Sequence, residues 1–376
     1  MGGAFNLGKI LDIQFRLHYT WFIIFFLVTI SLSWQYFPLY YQGWSTWIYW
    51  ATGIVASLLF FVSVLAHELA HSLVGRAHGI PIKSITLFIF GGVAQMTREA
   101  TRAGAELKMA AAGPACSLAI GGLFFLLQIL ISGINEPVAA MANWLWQINV
   151  ALAAFNLIPG FPLDGGRVFR STIWRFTGNY KRSTRIATRL GQGIGYTFIL
   201  GGIVIIFLRP FGLSWFSGLW LVFIGWFLQN AASISYRQTQ WREALRGFTA
   251  SQVMTSDYMV VPPNVSINYL VQRYILPAGH RFFLVADEGR FHGILTLHNI
   301  KSVPQSDWDM TQVERIMTPV DQLKVASPEQ DALSILEQMG ESDINQIPVV
   351  SEGRVIGLIT RDNLTRFLRT RSELGM

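Results

Sequence analysis

Apolar residues stand in long blocks over the first two-thirds of the chain and in short runs, broken by polar residues, over the last third. The blocks cover about 19–37, 47–74, 105–132, 143–158 with an irregular continuation to 175, 193–208 and 215–234. Runs of this kind suit helices crossing a hydrocarbon core about 30 Å thick. The pattern therefore predicts about six transmembrane helices. From about Gly247 it changes to that of a soluble α/β domain. The expected fold class is a polytopic α-helical membrane protein joined to a smaller α/β part.

That last third repeats itself. Residues 281–290 align with 345–354, residues 293–299 with 357–363, and Val253-Met254-Thr255 answers Ile316-Met317-Thr318 with a one-residue shift. Each copy reads as two strands joined by a turn, with helices around them. Two copies are expected to pack about a pseudo-two-fold axis. The domain reading is 1–243 for the membrane part, 247–306 for the first repeat and 307–376 for the second. Within the membrane part, 82–90 has strand composition, and Gly91-Gly92 with 93–96 completes a hairpin. An exposed edge over 85–90 would accept an extended peptide by strand addition.

Charge orients the blocks. Lys9 and Arg16 precede the first, and 38–46 after it holds no Lys or Arg. Arg76, Lys83, Arg98, Arg102 and Lys108 lie between the second and third, 132–143 holds none, and Arg175, Lys181, Arg182, Arg185 and Arg189 precede the fifth. Alternate loops are basic, Arg209 being the one exception, which puts both termini and the soluble part on the cytoplasmic side of a cell inner (plasma) membrane. The first block is too long for a signal-peptide core and no small-residue cleavage site follows it, so it reads as an uncleaved span.

Composition agrees. Hydrophobic residues make up 52% and charged residues 14%, against about a quarter charged in soluble domains. Thirteen Trp and 27 Phe suit interfacial aromatic belts. The net charge of +7 flanks apolar segments, so it reads as membrane orientation and not as a nucleic-acid partner. The single cysteine, Cys116, excludes an internal disulfide and reads as a packing residue.

Against this apolar background stands His67-Glu68-Leu69-Ala70-His71. Residues four apart share a helical face, so both histidines can reach one metal ion with Glu68 beside it. Ionisable groups in hydrocarbon are costly and mark function, which makes a hydrolytic zinc site within the bilayer the expectation. Such a site usually has three protein ligands and a water. Candidates for the third are His78, Glu99, Glu106 and Asp164. His78 imitates a longer zinc motif, but its spacing is one residue too long. Asp164 is the stronger choice, because two prolines and three glycines in 156–167 break the helix and let a carboxylate turn inward.

HELAH in one span and NLIPGFPLDGGR in a later one resemble the site-2 protease family of intramembrane zinc metalloproteases. The resemblance implies that His67, His71 and Asp164 bind Zn2+, that Glu68 is the general base, and that Asn156 helps position substrate. Ala111-Ala112-Gly113-Pro114-Ala115-Cys116-Ser117 is similar to the family's small-residue motif, with serine where many members have asparagine, so Ser117 is given no polar role. Substrates would be transmembrane proteins whose helices unwind locally. The repeat resembles a CBS-domain pair, which implies a regulator binding ATP or AMP at Thr360 and Asp362, and a homodimer through the CBS domains. In the first copy His298 stands where the aspartate is expected. The alternative is a membrane metal carrier or sensor with the same ligands. Glu68 separates the two, since transport needs no general base.

Overall fold

The computed structural model describes residues 4–374 apart from 90, 97–99, 213, 288–289, 343 and 353. The chain divides into two units, 1–240 and 241–376.

In the first unit, six helical segments among the described residues are long and apolar enough to cross a membrane. The first comprises α1 (Thr20–Ile30), a π-helical turn (Ser31–Tyr36) and α2 (Phe37–Tyr40). The others are α3 (Thr46–Ala77), α4 (Ala103–Ile131), α5 (Glu136–Asn156), α7 (Tyr180–Leu208) and α8 (Trp215–Leu245), with the short amphipathic α6 (Asp164–Thr177) between the fourth and fifth spans. Asn135 caps α5 by accepting from Val138 N–H at 3.1 Å, and Pro137 sits in the first turn, where its missing N–H costs nothing. The helix stops at Asn156, as the prolines ahead require. Beyond the 157–163 loop, α6 folds back so closely that a Cβ on Gly165 would strike the carbonyls of Leu157 and Ile158.

The fifth helix begins at Tyr180, well before the expected 193. Lys181, Arg182, Arg185 and Arg189 form its first turns instead of a loop. Lys and Arg are good helix formers, and Asn179 caps them through Arg182 N–H at 2.9 Å. At 1.5 Å per residue the helix runs about 43 Å, so its basic end clears a core of about 30 Å.

Four strands, β1 (Ala4–Ile10), β2 (Ile13–His18), β3 (Ile82–Phe88) and β4 (Gly91–Met96), make one sheet in that order. The 82–96 hairpin is present as expected, but its supposed free edge is not. β3 pairs in parallel with β2, Gln14 to Ser84 through Leu17 to Leu87, and antiparallel with β4. The first 18 residues were expected only to precede a span. Their alternation at Ile13, Phe15 and Leu17 instead packs a strand on the core side of β3. Among the described residues the open edge beside the hairpin is therefore on β4. Ile13, Phe15, Ile82 and Ile85 pack against Leu65 and Leu69, which sets the sheet on the turn of α3 that carries the histidines.

The second unit holds both repeats. The first comprises α9 (Ala250–Val253), β5 (Val260–Val261), α10 (Ile267–Leu270) leading through a π-helical turn to α11 (Leu276–Ala278), β6 (Phe282–Asp287), β7 (Arg290–Thr296) and α12 (Leu297–Lys301). The second comprises β8 (Thr318–Pro319), α13 (Ala332–Ser342), β9 (Gln346–Ser351), β10 (Arg354–Thr360) and α14 (Arg361–Glu373). Glu288, Gly289 and Gly353 of the aligned segments lie outside the described residues. Each copy lends its leading segment to the other's hairpin: β8 pairs with β7, and Thr255 bridges to Leu358 on β10. Leu284, Ile294 and Leu358 bury together between the two hairpins. This reciprocal exchange is the arrangement a pseudo-two-fold packing needs, and it explains why the methionine–threonine segment recurs.

Candidate metal centre

His67 and His71 project from one face of α3, and Asp164 opens α6 directly after the broken loop. Both histidines are buried. Their Nε2 atoms stand 3.1 Å apart, and Asp164 Oδ2 lies 3.2 Å from the first and 3.0 Å from the second. Donors bound at 2.0–2.1 Å around a tetrahedral zinc stand about 3.3 Å from one another, so the cluster has the right size. Among the described residues these three groups offer ligand atoms all within 4.8 Å of one another.

The surroundings fix which atoms face inward. His71 Nδ1 lies 2.7 Å from the Met109 carbonyl, which can only accept, so Nδ1 carries the proton and Nε2 presents a lone pair. His67 Nδ1 lies 2.9 Å from Ser117 Oγ, buried on α4, and the same tautomer results when it donates there. With both rings in that tautomer, two imidazole lone pairs and a carboxylate oxygen converge. Such a set fits a cation, and partners of this outer kind hold ligand imidazoles in place. α4 can approach because Gly113 has no side chain: a Cβ there would meet Nε2 of both histidines.

Glu68 lies half-buried outside this trio, its side chain packed against Gly92 of β4, where any Cβ would strike it. Arg167 Nη1 reaches to 3.6 Å from Met96 Sδ, which ties the end of β4 to α6. Asn156 closes α5 half-buried, and its amide makes no hydrogen bond among the described residues, so it does not serve to bond backbone freed at the helix break.

The other third-ligand candidates lie elsewhere. His78 is exposed at the end of α3 and bonds the Val74 carbonyl at 2.8 Å. Glu106 is buried in an ion pair with Arg170, and Glu99 lies outside the described residues. Sequence reasoning missed Ser117 and the Met109 carbonyl. The available signal was the stripe Glu106, Met109, Gly113, Ser117, whose steps of three and four put one polar and small-residue face on an otherwise apolar helix.

In the repeat, Thr360 is buried and its hydroxyl lies 2.9 Å from Asn363 Oδ1, while Asp362 is exposed on the first turn of α14. Thr296 and Asn299 make the same contact at 2.6 Å in the first copy. The two copies are therefore alike at this element, where His298 and Asp362 set them apart in sequence.

The profile of peptidase family M50 matches residues 55–142 and 133–202, and that of the CBS domain matches 250–305 and 313–370. A protein of Synechocystis sp. named as a zinc metalloprotease is 36% identical over 383 residues, covering 98% of this chain and 98% of its own. Another so named, from Mycobacterium tuberculosis, is 32% identical over 380 residues, covering 98% of this chain and 93% of its own. The solved site-2 protease from Methanocaldococcus jannaschii is 29% identical, covers 62% of this chain and 95% of its own, and gives a TM-score of 0.42.

Proposed function

The chain belongs to peptidase family M50 and is a zinc metalloendopeptidase with a CBS-domain pair, and on that premise we propose that it cuts substrate proteins within or near their transmembrane helices. The observation that carries this reading is the convergence of His67 Nε2, His71 Nε2 and Asp164 Oδ2, with Glu68 next to His67 on α3. These three residues would hold the metal, with the fourth position left for water or substrate. Bound there, zinc would polarise the scissile carbonyl and lower the pKa of water from about 15.7 towards about 7.

The chain's own groups do the rest. Glu68 takes a proton at its carboxylate from the attacking water and delivers it to the departing amine nitrogen. Asn156, at the end of α5, donates through its amide to the substrate carbonyl oxygen as charge develops there. A peptide bond inside a helix is shielded, so the substrate has to unwind. The open edge of β4 can pair with the released strand, and Gly92 on that strand abuts Glu68.

Both termini and the CBS pair lie in the cytoplasm of a multi-pass plasma-membrane protein, as the alternation of basic loops supports. There the pair binds ATP or AMP at Thr360 and Asp362, associates with a second copy, and regulates cleavage of transmembrane substrates.

The decisive variant is Glu68→Gln. It should keep one zinc per chain and stop cleavage of a reporter helix in membranes. A metal carrier is indicated instead if no membrane peptide is ever cut and Glu68→Gln alters zinc flux into proteoliposomes. For the regulator, ATP and AMP titrated calorimetrically into the full chain in detergent should give heat with the wild type and none with Thr360→Ala. Silence from the wild type would end the nucleotide reading.

A further inference from the structure

One buried ion pair of the membrane unit takes no part in the chemistry above. Arg170 on α6 and Glu106 on α4 have side chains only 6% and 1% exposed. Arg170 Nε donates to Glu106 Oε1 at 2.8 Å, and Nη2 donates to the same oxygen. The guanidinium also lies 4.8 Å from the centre of the Phe161 ring and 4.7 Å from that of Tyr180. It therefore joins α4, the 157–163 loop, α6 and the start of α7 at one point.

Both halves of the pair lead to the metal centre. Glu106 stands one turn before Met109, whose carbonyl accepts from His71 Nδ1. Arg170 follows Asp164 by six residues on the same helix, about 9 Å along its axis. Phe161 precedes Asp164 by three residues in the loop that delivers it. Stability is a weak reason for such a pair. Burying two charges costs about what their attraction returns, and apolar replacements are often neutral or better. A planar guanidinium supplies fixed geometry instead, through its forked donors and its stacking faces.

We propose that Arg170 and Glu106 form a positioning pair for the zinc centre, a role that rests on the zinc reading of His67, His71 and Asp164. The pair locks the helix that bears Asp164 against the segment of α4 that orients His71. The spacing of the three ligand atoms is thereby set from outside the cluster.

Cobalt(II) loading of the purified full chain reads this without turnover. Wild type should take up one Co2+ with the visible spectrum of a tetrahedral site. Arg170→Lys keeps the charge but loses fork and stacking, and Arg170→Met with Glu106→Leu removes both charges so that none is left unpaired. Both should melt near the wild-type temperature, bind Co2+ roughly 10- to 100-fold more weakly, and show a shifted visible spectrum. Tyr180→Phe keeps the ring and should leave both readouts unchanged. A folded double variant that binds Co2+ within twofold of wild type, with the wild-type spectrum, overturns the proposal. If neither Arg170 variant folds, the pair serves folding and the proposal likewise falls. Failure of the wild type itself to take up Co2+ or Zn2+ sinks the zinc reading and is seen separately.

Discussion

Gly113→Ala is expected to weaken metal binding while leaving α4 intact. A Cβ at that position meets His71 Nε2 and Cε1 and His67 Nε2, all closer than 3 Å. Neither ring can turn aside freely, because His71 is held by the Met109 carbonyl and His67 by Ser117 Oγ. Overpacking of this kind costs about 1–3 kcal/mol, which corresponds to zinc binding weakened about 5- to 150-fold. The effect on the helix itself has the opposite sign, since alanine is favoured over glycine in mid-helix by about 0.5–1 kcal/mol. Gly122 on the same helix supplies the control, as nothing lies within 4 Å of a Cβ there. Zinc affinity is read by chelator competition in detergent, and folding by circular dichroism on heating. The reasoning fails if Gly113→Ala binds zinc within twofold of wild type, or if Gly122→Ala loses as much.

Ser117→Ala removes the partner of His67 Nδ1 and should weaken zinc binding about 10- to 100-fold, as losses of outer partners do; metal content at buffered free zinc checks it. Gly92→Ala pushes a methyl group into Glu68 and should cut the cleavage rate by up to about 100-fold, since an error of about 1 Å at a reacting group costs that much. Zinc content measured on the same preparation should be unchanged, and a fall in it would mean that Gly92 supports the ligands and not the base. Asn156→Ala should likewise keep zinc and lower kcat about 10²- to 10³-fold, the usual loss for one oxyanion donor; a wild-type kcat would remove Asn156 from the reaction.

Different parts of this protein were legible in sequence for different reasons. The spans showed because hydrocarbon tolerates so few residue types that a helix crossing it leaves a continuous apolar block. The break before Asp164 showed because proline and glycine act locally, and HELAH because a period of four is a property of one helix. The start of α7 was misplaced because its basic turns are polar yet helical, and hydropathy alone cannot tell a polar helix from a loop. The edge assigned to β3 was wrong because its partner β2 lies more than 60 residues earlier and pairs with it through backbone groups, which carry no residue code.

The residue types alone thus determined that this chain needs a membrane, that one helix face carries two histidines, and that a broken segment can return a carboxylate. They also showed a tandem repeat of β-hairpins. Only the tertiary structure decided which atoms meet: Asp164 and not Glu106 or His78 at the histidines, Ser117 and the Met109 carbonyl behind them, and Gly92 against Glu68. The physical reason is range. Propensity and hydrophobic period act over a few residues, whereas a cluster with 3 Å spacing is set by the packing of α3, α4 and α6, elements separated along the chain and joined only through their side chains and close-approaching glycines.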